Sequence, residues 1–262
     1  MRGSFVVPTL NEAGSIGHVL RTFRAATDAA NQTRFVARPI EWELLVVDGA
    51  SADGTADLAR AAGARVVVET RKGYGRAYRT GFAEATGEII ATADGDATYP
   101  VERIPELVDK LLTENLDFIT CNRLAYLDRR AMTTEHRIGN RILNLVVHIA
   151  YHHYLQGMRG TKLLDSQSGM WIFRGAILPR LHLTQDGMPM SEELKLEALL
   201  RGFQLEEVPI PYAERWGAPK LSSWRDGQKN LTFLLEKRLA VARESRQSPA
   251  MSLNKRGSPG MR

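Results

Sequence analysis

Glu88-Ile89-Ile90-Ala91-Thr92-Ala93-Asp94-Gly95-Asp96 decides the fold. An apolar run of strand length stops at two carboxylates one residue apart, and Tyr99-Pro100 then opens a helical pattern over 101–112. A short buried strand that ends in acids and passes into a helix is a building unit of an α/β sheet. Similar units recur around it. Apolar runs predict strands over 4–7, 42–47, 64–68, 88–93 and 118–121, with helices over 15–30, 54–62, 75–85 and 101–112. This alternation predicts a mostly parallel central sheet with helices on both faces, whose ligands bind beyond the carboxyl ends of the strands. The second half is less regular. It reads as a long helix over 135–154, a turn-rich stretch over 157–169, a strand over 170–173, a helix over 191–200 and a strand over 204–209.

The expected organisation is one domain over 1–224, an amphipathic basic helix over 225–244 and a disordered tail over 245–262. The chain has 262 residues and a formal charge of +5. From Arg225 onward there are nine Lys and Arg against three Asp and Glu, so the first 224 residues are close to neutral. That distribution excludes a polybasic nucleic-acid-binding core and makes an anionic membrane surface one reading of the C-terminal charge. No run approaches the roughly 18–20 apolar residues of a membrane span. The opening Met1-Arg2-Gly3-Ser4 does not read as a signal peptide, so a cytoplasmic protein is expected, with peripheral contact at the inner face of the membrane. Cys121 alone makes no disulfide and reads as core filler.

Three further segments carry polar or acidic groups at predicted strand ends or helix starts. Pro8-Thr9-Leu10-Asn11-Glu12 follows the first strand, and Asp48-Gly49-Ala50-Ser51-Ala52-Asp53-Gly54-Thr55 follows the second. A carboxylate at Asp48 can accept from a nucleobase N–H or a ribose hydroxyl, whereas Asp53 reads as a helix cap. Arg71-Lys72-Gly73-Tyr74-Gly75-Arg76 brings glycines and cations to a helix start but lacks a dinucleotide fingerprint. Asp94 and Asp96 read either as a solvated turn or as oxygen ligands for Mg2+ or Mn2+.

In this order, these segments together with Asp165-Ser166-Gln167-Ser168-Gly169 resemble the family 2 glycosyltransferases of the GT-A fold. Within them they are most similar to the polyprenyl-phosphate (dolichyl-phosphate) mannose and glucose synthase branch. The resemblance implies an inverting hexosyltransferase that moves a sugar from a nucleotide diphosphate sugar, of the GDP-mannose or UDP-glucose type, to a polyprenyl-phosphate acceptor. It places Pro8, Leu10, Glu12, Asp48, Lys72 and Asp94 on the donor. It gives Asp94 and Asp96 the metal and the diphosphate, with Asp165 as a third catalytic candidate that acts as a base or positions the acceptor side. Arg123, Arg137 and Arg141 with Asn144, and Arg215 with Lys220, fall where the branch approaches acceptor phosphate. Gly49 stands where the family usually has a second acid, and Pro219 where it has a serine. The alternatives are the same chemistry on a soluble acceptor, and a nucleotidyltransferase.

Two features have plainer readings. Glu192 and Glu193 suit a helix N-terminus, Glu192 being also a site candidate through the resemblance. His148, His152 and His153 read as surface or packing residues, because no third metal ligand accompanies them.

Overall fold

A computed structural model describes residues 1–127, 134–160, 162–217 and 223–247. Its strands are β1 (Arg2–Thr9), β2 (Glu41–Asp48), β3 (Arg65–Val68), β4 (Ile89–Thr92), β5 (Phe118–Leu127), β6 (Trp171–Arg174) and β7 (Leu205–Tyr212). They form one sheet in the order β3-β2-β1-β4-β6-β5-β7. Every pairing is parallel except those of β6, which runs against both β4 and β5. Six strands therefore end at one edge of the sheet, and β6 begins there. The reversal carries segment 165–169 to the edge where β1, β2 and β4 finish. β1 and β2 finish level, Thr9 pairing with Asp48, whereas β4 stops at Thr92 opposite Val6, three residues short of that line.

The helices are α1 (Ile16–Thr33), α2 (Thr55–Ala61), α3 (Tyr74–Glu84), α4 (Ile104–Thr113), α5 (Thr134–Leu155), α6 (Met190–Leu200) and α7 (Ser223–Gln247). They divide between two cores because strand side chains alternate in direction. Phe5, Val7, Leu44, Val46, Ile89 and Ala91 point into one core, where α1 and α4 lie. Val6, Leu45, Val47, Ile90, Trp171 and Phe173 point into the other, beneath α3, α5, α6 and α7. Phe5 stacks on Phe23 of α1 with ring centroids 4.0 Å apart, and each such buried side chain contributes roughly 1.5–3 kcal/mol. Cys121 is a buried free thiol in the first core, its pKa pushed up by burial, which fits the filler role.

The predicted helix over 101–112 is divided. Val101–Arg103 is a 3-10 turn, and α4 starts only at Ile104. Pro105 has no N–H to give the carbonyl of Val101, and its ring would crowd that carbonyl in a continuous α-helix. The last helix begins at Ser223 and reaches Gln247, beyond the expected 225–244, so its final turn takes in the start of the predicted tail. It packs on the body of the molecule. Phe233 and Leu234 are buried, the Tyr151 hydroxyl donates to Leu234 O at 2.9 Å, and Arg238 Nε donates to Ala150 O at 2.7 Å. Among the described residues no helix is long and apolar enough to cross a membrane.

Candidate active site

The loops after β1 and β2 are laced together. Asn11 N donates to Ser51 Oγ at 2.8 Å, and Ala52 N returns a bond to Asn11 Oδ1 at 2.9 Å. Asn11 and Ala50 hold positive φ values of 53° and 57°, and these sharp turns bring the loops face to face. Asp48 is buried at the end of β2. Its Oδ1 accepts from Ser51 Oγ (2.6 Å) and Thr9 Oγ1 (3.1 Å), and its Oδ2 from Ser51 N (2.9 Å). Asp53 does more than cap. Its Oδ1 accepts from Thr55 N at 3.1 Å, and its Oδ2 crosses to Ala13 N at 3.0 Å, beside Gly54, the residue that caps α2 with φ 86°. Leu10 stands exposed and Glu12 is buried nearby.

Asp94 and Asp96 occupy the loop after β4, but their surroundings differ. Asp94 is half-buried, and its Oδ1 accepts from the Tyr74 hydroxyl at 3.1 Å. Burial, and then the Asp96 charge, push its carboxyl up to about 7. Asp96 is buried. Thr98 Oγ1 donates to its Oδ1 at 2.6 Å, and Arg215 holds its Oδ2 through Nε at 2.7 Å and Nη2 at 2.6 Å. Arg215 also lies 3.6 Å from Glu12 Oε1, so one guanidinium joins the β1 loop to the β4 loop. The neighbouring backbone follows: Trp216 N donates to Asp96 O at 3.1 Å, and the Trp216 ring stacks on His18 at 4.8 Å.

Lys72 is exposed just before α3. The glycines beside it serve close packing. A Cβ on Gly73 (φ 143°) would strike Asp186 O, and one on Gly75 would strike Gln185 O. Arg76 N donates to Asp186 O at 2.9 Å, which clips the start of α3 to the segment leading into α6.

Segment 165–169 has no regular structure and is held by buried side chains. Arg123 forms a bidentate pair with Asp165, Nε to Oδ2 and Nη2 to Oδ1, each 2.8 Å. Arg123 N adds a bond to Oδ2 at 3.0 Å, and Gln167 N one to Oδ1 at 3.2 Å. Burial alone would raise the Asp165 pKa, but the Arg123 guanidinium outweighs it and holds the carboxyl below its ordinary value. With both oxygens engaged and no exposed surface, Asp165 has the geometry of a positioning acid rather than of a base. Glu207 on β7 accepts from Leu164 N and Asp165 N, both at 2.9 Å, and Asn144 Oδ1 accepts from Ser166 N at 2.9 Å. Lys195 of α6 donates to Asp165 O, Ser166 O and Ser168 O at 3.0, 2.8 and 2.9 Å. Gln167 links Asn230 of α7 to Glu192 of α6. Glu192 is buried, which pushes its pKa up, and its Oε2 has no hydrogen-bond partner among the described residues. Glu193 is also buried and receives Thr184 N (2.9 Å), Thr184 Oγ1 (2.7 Å) and Gln185 N (2.9 Å). Both glutamates stand in the first turn of α6, as the helix-start reading expects, and both are buried there.

The structure thus gathers Pro8, Glu12, Asp48, Asp94, Asp96, Asp165, Arg123 and Arg215 along one sheet edge. Arg141 and Arg137 lie on α5 one and two turns before Asn144, at the helical spacing that shares its face. Lys220 lies outside the described residues. Among the described residues no group of three or more His, Cys, Asp or Glu gathers to hold a metal; His148 Nε2 instead meets Leu163 O at 2.9 Å. Sequence reasoning missed Lys195 and Glu207, and it named Glu193 and Tyr74 without giving them a place in the site. Only the acids' neighbours in sequence pointed to any of them.

Residues 4–181 match the family model described as glycosyl transferase family 2. The chain belongs to that family. It is 31% identical over 222 residues to a dolichyl-phosphate hexose transferase of Haloferax volcanii, covering 85% of this chain and 87% of that protein. It is 30% identical over 234 residues to the low-salt glycan biosynthesis hexosyltransferase Agl6 of the same organism, covering 88% of this chain but only 52% of the relative. A dodecaprenyl-phosphate galacturonate synthase of Rhizobium johnstonii is 28% identical, and the match spans half of its length. Among solved structures, glucosyl-3-phosphoglycerate synthase from Mycobacterium tuberculosis, in complex with Mn2+, uridine diphosphate and glucosyl-3-phosphoglycerate, superposes with a TM-score of 0.69 at 22% identity. That match covers 90% of this chain and 79% of the other, and it shows the GT-A fold. The family 2 membership, the fold and the polyprenyl-phosphate sugar relatives agree with the resemblance read from the sequence.

Proposed function

We propose that this family 2 chain is an inverting hexosyltransferase that moves a hexose from a nucleotide diphosphate sugar to a polyprenyl phosphate at a membrane surface. The observation that carries the reading is the division of one sheet edge. Asp48, Leu10 and Glu12 stand on one side of Asp94 and Asp96, while Arg123 and Asp165 stand on the other, where Asn144 ties α5 to Ser166. A nucleoside on the first side and a phosphate on the second bring donor and acceptor together over the two acids.

In the proposed reaction, an oxygen of the acceptor phosphate attacks the anomeric carbon from the face opposite the leaving group. A new C–O bond forms, and the bond to the diphosphate breaks with its electron pair on the departing nucleoside diphosphate. A phosphate monoester is already mostly ionised near neutral pH, with a second pKa of about 6, so no base is required. Asp165 accordingly positions Arg123. Arg123, Arg137, Arg141, Arg215 and Lys220 supply cations for the phosphate groups. Asp94 and Asp96 offer hard carboxylate oxygens, the donor set that Mg2+ or Mn2+ takes when substrate phosphates complete its shell. Held by these carboxylates, a divalent ion would neutralise charge on the leaving diphosphate. Arg215 is the cation already paired with Asp96, so the more open Asp94 is the first carboxylate to present to a metal.

Two apolar stripes support the lipid acceptor. Ile138, Ile142, Leu145 and Ile149 recur at helical spacing on α5 and are all exposed, Ile149 by 73%. Leu231, Leu235 and Leu239 do the same on α7, beside exposed Lys229 and Arg243. Apolar residues with flanking cations suit a helix lying in an anionic head-group layer, here at the cytoplasmic face.

Thermal unfolding with GDP-mannose or UDP-glucose, each with and without Mn2+, tests the donor half. A ligand at a hundred times its Kd should raise the midpoint by roughly 5–10 °C, with metal required. Transfer from the stabilising donor to detergent-dispersed polyprenyl phosphate tests the acceptor half, and Asp94→Ala should abolish it while leaving the unfolding midpoint of the free protein within about 3 °C. Transfer to a soluble phosphate with none to the lipid would overturn the acceptor.

A further inference from the structure

Lys195 lies on α6 between Leu194 and Leu196, and it is among the largest fully buried side chains of the molecule. An ammonium taken from water loses its hydration, and burial pulls its pKa down to about 8. Here its three N–H donors meet three backbone carbonyls, those of Asp165, Ser166 and Ser168, within 3.0 Å. Three carbonyls from a run of four residues turn toward one atom in a segment that has no helix or strand to hold them there. The ammonium therefore dictates the path of the segment.

The opposite side of the same segment is held as well. Gly169 N donates to the Tyr99 hydroxyl at 2.7 Å, and Gly169 O accepts from Thr92 Oγ1 at 2.9 Å. A Cβ on Gly169 would strike the Tyr74 hydroxyl and lie 3.5 Å from Asp94 Oδ1. One end of the segment thus carries Asp165, which aims Arg123, and the other end passes beside Asp94. Any displacement on the Lys195 side moves Arg123 relative to the two acids. The loops around Asp48 and Glu12 are tied to each other through Asn11, Ser51, Ala52 and Thr55, so a shift of this segment should leave them in place.

We propose that Lys195 is a positioning residue for the acceptor half of the site, fixing segment 165–169 so that Asp165 and Arg123 face the donor. This rests on the reading above that Arg123 borders the acceptor. Lys195→Met removes the donors and keeps the length of the side chain; Lys195→Gln keeps two N–H donors. The affinity for nucleoside diphosphate with Mn2+ is measured by calorimetry, and KM and kcat are measured with polyprenyl phosphate. In Lys195→Met the nucleotide Kd should stay within about threefold of wild type while the acceptor KM rises at least about tenfold, the scale of loss that a misplacement near 1 Å produces. Lys195→Gln should fall between them. Equal losses for nucleotide and acceptor, or no change in either, overturn the assignment. So does failure of both variants to unfold cooperatively, which would make Lys195 a strut of the whole domain. If wild type transfers only to a soluble phosphate, the lipid reading fails, and the acceptor KM ratio on that phosphate still decides the role of Lys195.

Discussion

α6 and α5 break the rule of buried apolar and exposed charged residues in opposite directions. α6 is buried from Met190 to Leu199 although it carries Glu192, Glu193, Lys195 and Glu197. α5 exposes Ile138, Ile142, Leu145 and Ile149 along one side. Each inversion marks a different task. The charges of α6 replace the hydrogen bonds of loops that lack a sheet or helix ladder, because buried backbone groups need partners. The four exposed residues of α5 form a patch of the sort that meets another surface, while Leu143, Val147, Tyr151 and Leu155 of the same helix enter the second core. The first helix is costly to alter internally, and the exposed stripe of the second costs only what it touches outside.

The sharpest way to break that contrast is Glu193→Ala. Thr184 N, Thr184 Oγ1 and Gln185 N would lose their shared acceptor, the buried Glu193 carboxylate, in bonds that are themselves only part-buried. At about 1 kcal/mol or more for each stranded donor, the variant should lose about 3 kcal/mol, a fall of roughly 6–12 °C in the calorimetric midpoint. A midpoint within about 2 °C of wild type would mean that water reaches those groups, and α6 would then be buried in appearance only.

The reverse test is the pair Ile142→Asp and Ile149→Asp on α5. Both side chains face outward, so stability should move by no more than about 0.5 kcal/mol in either direction. Co-sedimentation with vesicles containing anionic lipid should fall at least about tenfold, since each change replaces an apolar contact with a charge that anionic head groups repel. Unchanged vesicle binding would assign the membrane contact elsewhere. Loss of a dimer in light scattering would assign the stripe to a second copy of the chain.

The two helices also show where reading the sequence succeeds. β1, β2, β4 and the acids behind them were legible because continuous apolar runs ended abruptly in Asp or in Pro-x-x-Asn-Glu, a local signal. The antiparallel direction of β6 was not legible. Met170–Phe173 looks the same in either direction, and its pairing is decided by β4 and β5 far away in sequence. The Arg215–Asp96 pair spans 119 residues, and no spacing rule reaches that far. On α6, a period-based reading sends Glu and Lys to solvent. Nothing local in Ser191-Glu192-Glu193-Leu194-Lys195 announces that carbonyls and amides of segments 165–168 and 184–185 will be waiting for them. Resemblance to the family located segment 165–169, but not the lysine beneath it.

Glu197→Gln is the mildest test and bears on how the two helices are joined. Glu197 is buried on α6. Its Oε2 accepts from His182 N at 2.8 Å and Arg201 Nη2 at 3.1 Å, and its Oε1 holds Lys237 of α7. α7 in turn packs on α5 through Tyr151 and Arg238. Glutamine keeps one acceptor and turns an N–H2 toward cations, so at least one of these bonds is lost. Arg201 is 40% exposed and can turn to water, so the cost should be only about 1 kcal/mol. The informative measurement is hydrogen exchange. Faster exchange confined to α7 would mean that the α6 charge anchors α7 on its own, leaving the α5 stripe a rigid surface. Equal acceleration in α5 would mean that α5 and α7 open as one unit, with the apolar face and its arginines moving together over the acceptor side of the site.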